Sequence, residues 1–360
     1  MSWSSKTLHV AIIGYGVAGS VFHAPLIAST PGMMVGAIVT SAAERQEKAR
    51  RDFPSAVIFS KPDDLWKHAA HYDLVVVASP NRTHVPLGIA AMEVGLPVVI
   101  DKPLAASVAD AERLMGVSER TGKMLSVFQN RRWDNDFLTV QYLLNTELDL
   151  LGPIVRFESR YERWRPIPKI GVWREMGEPE EAGGVLYDLG SHLIDQVIVL
   201  FGEPTRVYAE VEKRRAEVLV DDDTFVALQF ASGVRAHLWM NMVARILGPR
   251  IRLQGLRGTY EKYGLDPQED ALRKGMRPGD NGWGREPRES WGRLATEVGG
   301  VPLDSMIETL PGAYEEYYAL LRDALLTGGK PPVEVSEVLW TLRVIEAAQE
   351  SARSGRVVEL

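Results

Sequence analysis

Lys102 lies in the segment Gly95-Leu96-Pro97-Val98-Val99-Ile100-Asp101-Lys102-Pro103, just past a short apolar run that reads as a β-strand. An amine at a strand's carboxyl end stands where an open α/β sheet binds its ligands. A second group with chemical capacity is Asp188, His192 and Asp195, within Gly183-Gly184-Val185-Leu186-Tyr187-Asp188-Leu189-Gly190-Ser191-His192-Leu193-Ile194-Asp195. Spacings of four and three place these polar groups on one face of a helix, while Leu186, Leu189, Leu193 and Ile194 fill the others. An imidazole beside a carboxylate suits general acid and base work, because the carboxylate orients the ring and raises its basicity. Gly190 is costly inside a helix unless something packs close, so this helix is expected to approach a ligand. A divalent metal is the rival use of one histidine and two acids. No second histidine or dense ligand cluster lies nearby, and no metal is expected. For this segment alone, a helix cap with a satisfied polar histidine is the plainer alternative.

The elements that must position these groups fall into two patterns. From Leu8 to about Phe128, short β-branched runs alternate with helical stretches, as parallel βαβ units do. Strands are predicted at 8–13, 34–39, 56–59, 74–78, 97–100 and 124–128, with helices at 21–29, 42–53, 84–94 and 108–121, the last with Ser107 as N-cap. Beyond Gln129 a helix at 134–145 precedes two-residue alternations such as Val155, Phe157, Ser159, Tyr161 and Val226, Leu228, Phe230. These predict an antiparallel sheet with one covered face. Further strands are predicted at 206–213, 233–241, 250–254 and 259–263, and helices at 184–201, 313–326 and 336–352. Residues 264–300, rich in Gly, Pro and charge, read as a long irregular excursion. The fold class is therefore an α/β Rossmann dinucleotide-binding domain, residues 1–128, followed by an α+β domain with a large, mainly antiparallel sheet, residues 129–360.

Gly14-Tyr15-Gly16-Val17-Ala18-Gly19 follows the first strand and opens a helix, the context that a G-x-G-x-x-G nucleotide turn requires. Gly14 permits the tight turn, Gly16 lets backbone approach a pyrophosphate, and Gly19 allows close helix–strand packing. A glycine turn without a ligand is the alternative. The second strand ends Val39-Thr40-Ser41 without the acid that usually binds a ribose 2′-hydroxyl, and Arg45 follows within a helical turn. Two hydroxyls and a guanidinium suit a 2′-phosphate, which predicts NADP, with NAD also possible. A solvated helix charge is the other reading of Arg45. Ser79, Pro80 and Asn81, past the fourth strand, are positioned to line the nicotinamide ribose, and His84 begins the next helix as a local hydrogen-bonding residue rather than a catalyst.

The 360 residues, 45% hydrophobic and 25% charged, are enough for two domains, each with its own core, and hence a cleft. A net charge of -7 offers no basic field for a polyanion, so nucleic acid is not an expected partner. The absence of cysteine excludes disulfides and thiolate chemistry and fits a reducing compartment, the cytoplasm by default. Met1 to Thr7 are short and polar, and no uninterrupted apolar run approaches the ~20 residues of a membrane span.

Taken together, the glycine turn, Asp101-Lys102-Pro103 and Asp188-x-Gly190-x-His192-x-x-Asp195 resemble the glucose-fructose oxidoreductase, inositol dehydrogenase and rhizopine catabolism (Gfo/Idh/MocA) family, over nearly the whole chain. Phe22-His23-Ala24-Pro25, Asn130-Arg131-Arg132-Trp133-Asp134 and Lys262-Tyr263-Gly264-Leu265-Asp266-Pro267-Gln268 resemble a bacterial branch that includes NADP-dependent scyllo-inositol 2-dehydrogenase. The resemblance implies that Lys102 is the lysine of the family's Glu-Lys-Pro motif and that Asp188 and His192 are its active-site acid and histidine. Asp101 departs from that motif by replacing glutamate, keeping the charge but shortening the reach. Asn130 and Arg131 match positions that line the sugar pocket, and Trp173 and Arg174 lie where the family places cofactor contacts. Asn130, Arg131, Tyr161 and Asp195 together imply a polar substrate. The implied activity is reversible hydride transfer between NADP(H) and a secondary alcohol or ketone of a cyclitol or sugar, in a homodimer or homotetramer. The competing readings are a redox-neutral glycoside hydrolase of the same fold with a bound NAD, and a non-catalytic dinucleotide sensor.

Overall fold

Strands β1 (Leu8–Ile13), β2 (Met33–Val39), β3 (Val57–Phe59), β4 (Leu74–Val77), β5 (Val98–Asp101) and β6 (Leu125–Phe128) form a wholly parallel sheet in the order β3-β2-β1-β4-β5-β6. Val10, Ala11, Ile12, Val75, Val76, Val77, Val99 and Ile100 are fully buried, because a parallel sheet covered by helices needs strands apolar on both faces. The strand order reverses between β1 and β4, and the turns leaving these two strands carry the glycine motif and the Ser79-Pro80-Asn81 segment. The computed structural model describes residues 6–168, 175 and 177–360.

The helices of this sheet are α1 (Ala24–Ser29), α2 (Ala43–Asp52), α3 (Pro62–Trp66), α4 (His84–Glu93) and α5 (Val108–Thr121). The Ser107 hydroxyl accepts the Asp110 N–H as the expected N-cap. The first helix begins with a wide π-turn, Ala18–His23, before α1. Pro25 has no N–H to return to the preceding turn, and such π-turns recur at functional sites. The five-residue α3 was not anticipated, being shorter than the periodicity that reveals a helix.

The second sheet has nine strands: β7 (Ile154–Glu162), β8 (Pro204–Glu212), β9 (Asp223–Phe230), β10 (Arg235–Asn241), β11 (Ile251–Gly255), β12 (Thr259–Lys262), β13 (Gly292–Val298), β14 (Val301–Ile307) and β15 (Val358–Glu359). Their order is β14-β13-β12-β11-β7-β10-β9-β8-β15, antiparallel throughout except for the parallel β7/β10 pair. Helices α6 (Asn135–Asn145) and α7 (Ser191–Phe201) belong with it, and Phe201 packs between Phe157 and Phe230 at ring distances of 5.8 and 5.6 Å. The stretch Pro179–Phe201 is long and apolar enough to cross a membrane, yet 78% of its most apolar window is buried inside the protein, as in a core helix.

Residues 264–300 differ from expectation: they contain α8 (Gln268–Arg273) and β13, and β13 continues through a Gly299-Gly300 turn into β14. Both glycines have positive φ, as a tight hairpin turn of this kind requires. Strand β14 faces solvent along almost its whole length, so no buried face prints a two-residue alternation on its sequence.

The chain divides into two compact units, residues 1–130, 268–283 and 313–339 in one, and 131–267, 284–312 and 340–360 in the other. The first therefore recruits chain well beyond residue 128, including α9 (Glu315–Thr327); α10 (Val335–Ser354) follows. Tyr317 and Tyr318 of α9 are fully buried against Phe128 at the end of β6, with ring distances of 5.0 and 5.8 Å. The Ser126 hydroxyl accepts from Tyr317 and donates to the Val333 carbonyl. Periodicity identifies such helices without telling which sheet they cover.

Candidate active site

In the first unit the three motif glycines differ in what surrounds them. Gly14 has φ +100°, and a Cβ there would collide with the Ala78 carbonyl; one on Gly19 would collide with the carbonyl of Gly14. Both are required by packing. A Cβ on Gly16 would meet nothing nearer than an Arg45 guanidinium nitrogen at 4.0 Å. The middle glycine thus fronts open space beside a cation, as a cradle for a phosphorylated dinucleotide demands. Val17 is exposed and Ala18 half-buried. The Tyr15 side chain is turned inward: its hydroxyl donates to Asp52 at 2.7 Å, and burial together with that carboxylate pushes the phenol well above its ordinary pKa. Thr40 is nearly buried and its carbonyl accepts the Gln46 side-chain amide at 2.8 Å, whereas Ser41 and Arg45 are exposed.

Past β4, the Ser79 and Thr83 hydroxyls share a 2.6 Å hydrogen bond across the turn Asn81–Thr83, with Pro80 exposed and Asn81 buried. His84 is turned to the backbone, Nδ1 lying 2.8 Å from the Pro103 carbonyl oxygen and Nε2 3.0 Å from that of Ser79. Asp101 accepts the Lys102 N–H at 2.9 Å and stands 3.8 Å from His23 Nε2, while His23 Nδ1 is 2.6 Å from the Tyr318 hydroxyl. Burial pushes the Asp101 pKa up, but His23, His84 and Lys102 outweigh it and hold the carboxyl below its ordinary value. The shortened acid therefore bends back on its own strand end and faces two buried imidazoles. Lys102 itself is half-buried, and its peptide bond to Pro103 is cis.

In the second unit the helix bearing Asp188 and His192 starts as a π-turn, Leu186–Gly190, and runs on as α7. Asp221 seats its first turn. A Cβ on Gly184 would collide with the Asp221 carboxylate, which accepts the Leu186 N–H and the Thr224 hydroxyl, each at 2.8 Å. Burial raises the Asp221 pKa despite these donors. Gly190 is explained by the sheet rather than by a ligand: a Cβ there would lie 3.1 Å from the Met240 methyl and 3.2 Å from Leu186 Cδ1. Asp188 and His192 are both buried, and Asp188 lines a cavity of about 190 Å³ together with Asp221, Arg163, Arg165 and Arg215.

Asp195 is gripped by Arg132, whose Nε and Nη2 donate to its two oxygens at 2.8 and 2.7 Å, with both side chains nearly buried. Such a two-point pair anchors α7 to the segment before α6. Tyr161 is buried beneath Arg131, Arg163 and Arg250, their guanidinium carbons 5.2, 5.1 and 5.5 Å from its ring centre. Arg131 pairs with Asp134 at 3.4 Å, and Asn130 is buried. Trp173 and Arg174 lie outside the described residues. No group of three or more metal-binding side chains occurs among the described residues.

Sequence reasoning missed Asp221 and Tyr318, and read His23 and Arg132 only as parts of branch motifs. The acidic run Asp221-Asp222-Asp223 was the one available signal, since carboxylates ahead of a buried strand need partners.

Residues 8–129 match the NAD-binding Rossmann fold of the Gfo/Idh/MocA oxidoreductase family, and residues 147–360 match that family's C-terminal alpha/beta domain. The chain is 40% identical to the uncharacterized oxidoreductase YdgJ of Escherichia coli, covering 97% of each protein. It is 37% identical to the scyllo-inositol 2-dehydrogenase (NADP(+)) IolW of Bacillus subtilis, over 98% of this chain and 96% of that one. Among solved structures it resembles yvaA from Bacillus subtilis, with a TM-score of 0.93 and 36% identity over 100% of both chains.

Proposed function

Since this chain belongs to the Gfo/Idh/MocA family of NAD(P)-binding oxidoreductases, we propose that it is an NADP-dependent dehydrogenase of inositols or closely related polyols, interconverting a ring carbinol and its ketone. The observation that carries the cofactor choice is the Arg45 guanidinium beside the open Gly16, with exposed Ser41 nearby and no carboxylate at the end of β2. Charged hydrogen bonds to a 2′-phosphate contribute ~1.5–3 kcal/mol, which corresponds to roughly ten- to hundredfold selectivity. The relative named as an NADP(+)-dependent scyllo-inositol dehydrogenase supports both halves of the reading.

Gly14, Gly16 and Gly19 would hold the pyrophosphate, Ser41 and Arg45 the 2′-phosphate, and the Ser79 to Asn81 turn the nicotinamide ribose. Bound there, the nicotinamide supplies the hydride acceptor for oxidation and the donor for reduction. In oxidation His192 accepts the hydroxyl proton of the carbinol at a ring nitrogen. Lys102 stabilises the developing alkoxide as a cation, and Asp188 orients this acid–base pair. In reduction His192 returns the proton. Asn130 and Arg131 hold substrate hydroxyls, Asp195 sets the helix through Arg132, and Trp173 and Arg174 contribute to the cofactor side. The reading requires Lys102 and His192 to act on one and the same oxygen.

The uncovered face of the nine-stranded sheet carries Phe225, His237 and Trp239 in mutual ring contact, with Arg160 stacked 3.9 Å from the Trp239 ring. This half-buried aromatic patch supports a homodimer or homotetramer joined across the sheet. The decisive experiment assays inositols, inososes and aldoses with NADP and with NAD separately, following nicotinamide absorbance. Turnover of a cyclitol with NADP favoured at least tenfold, and loss of that preference in Arg45→Ala, is expected. Sugar release from an aryl glycoside without added cofactor, or no nicotinamide turnover with any polyol, would overturn the proposal.

A further inference from the structure

His84 is the one buried imidazole whose two nitrogens both face main-chain carbonyls at the carboxyl ends of neighbouring strands, among the hydrogen bonds of the described residues. The β4/β5 ladder stops at Val77 opposite Ile100, while Asp101 is paired only on its other side, with Phe128 of β6. Beyond that point the sheet no longer ties the Ser79 turn to the Lys102-Pro103 segment. The imidazole spans this gap: it leaves the first residue of α4, reaches back to the Ser79 carbonyl and forward to that of Pro103, the residue after Lys102.

We propose that His84 is a positioning residue for Lys102, a side-chain brace that replaces the missing ladder bond and fixes the amine relative to the turn after β4. This rests on the reading of Lys102 as the cation that stabilises the alkoxide. Carbonyls only accept, so a ring protonated on both nitrogens bonds both strand ends at once, whereas a neutral ring donates to one and meets the other only with its lone pair, its width still setting their separation. Burial disfavours the charged form, the nearby Asp101 carboxylate favours it, and the balance leaves His84 below its ordinary pKa. Its full burial keeps water from substituting for either bond. Asp101, bonded to the Lys102 N–H, secures the same strand end from within.

The test is a double-mutant cycle on kcat with His84→Phe and Lys102→Ala, read beside thermal unfolding and NADP affinity. In the native background His84→Phe should lower kcat about a hundredfold, the scale of a 1 Å misplacement of a catalytic group. In the Lys102→Ala background the same change should cost less than about threefold, because the group it positions is gone. His84→Gln, whose amide nitrogen carries two N–H groups, should recover most of the loss. If His84→Phe does not fold, His84→Asn, too short to span both carbonyls, takes its place in the cycle. Equal losses in both backgrounds would reduce His84 to a structural residue and leave the proposed reaction standing. An unaltered kcat in Lys102→Ala would overturn the reading of Lys102 and this inference with it.

Discussion

Lys102 stands beyond the last paired residues of β4 and β5, half-buried, held by side chains that bond the backbone on either side of it. His192 sits inside α7, buried, its position set by helix packing on β10 and by an acid under the first turn. The contrast follows from charge. An ammonium is expensive to desolvate without a charged partner, so half-burial at a strand end costs Lys102 less than full burial would, and its placement rests on local braces. An imidazole can exist as a neutral ring, so it tolerates burial and can take its precision from a rigid helix.

The largest effects should separate the two groups by what they do rather than by where they sit. Lys102→Ala and His192→Ala are each expected to lower kcat by ~10²–10⁴, the lysine at least as much, with NADP affinity nearly unchanged in steady-state and binding assays. A Lys102 variant much milder than the His192 variant would reverse the roles assigned to them.

The glycines sharpen the same comparison. Gly14→Ala forces positive φ on a residue with a Cβ and drives that Cβ into the Ala78 backbone, so it should destabilise the first unit by about 2 kcal/mol or more and abolish cofactor binding. Gly190→Ala meets only the ends of Met240 and Leu186 and gains up to ~1 kcal/mol of helix propensity, so its unfolding free energy should stay within about 1 kcal/mol of the native protein. Comparable denaturation midpoints for the two variants would contradict this difference.

Asp221→Ala removes the acceptor for Leu186 N–H and should cost ~1–2 kcal/mol of stability, as losing a helix cap does. It should depress kcat while leaving NADP binding intact, because only the His192 helix loses its seat. A fall in NADP affinity measured by titration would show that the two regions are not independent.

The smallest effect is on pH. His84 and His237 have pKa values lowered chiefly by burial, so the unfolded chain takes up protons more readily than the folded one as pH falls through 6.5. The folded state is thus expected to lose stability as pH drops below that value, down to the folded pKa values. His84→Phe should flatten this slope in Tm against pH between neutrality and mild acid; an unchanged slope would show that His84 does not contribute to it.

The strands of the first unit were legible to within one or two residues because, β3 apart, burial on both faces leaves nearly unbroken apolar runs between Gly and Pro punctuation. Lys102, Asp188 and His192 drew notice in the sequence by their places at a strand end and along one helix face, and the structure puts Lys102 half-buried just past β5 and buries Asp188 and His192 in their helix. Legibility failed where partners are distant in sequence. Arg132 holds Asp195 from 63 positions away and Asp221 holds Leu186 from 35, and neither pairing has a local signature. Strand β14 was invisible for the opposite reason, having almost no buried face to impose a pattern.

Local chemistry, then, was determined by the order of the amino acids: a glycine turn after an apolar strand, an amine after another, an acid and an imidazole four apart on a helix. Those features depend on backbone sterics and helix or strand periods, which act over a few residues. Tertiary structure decided that Gly190 yields to Met240 rather than to a ligand, that Asp195 belongs to Arg132, and that His84 joins two strand ends. Each of these is a contact between segments whose meeting depends on how whole elements pack, and packing responds to volume and charge summed over the entire core.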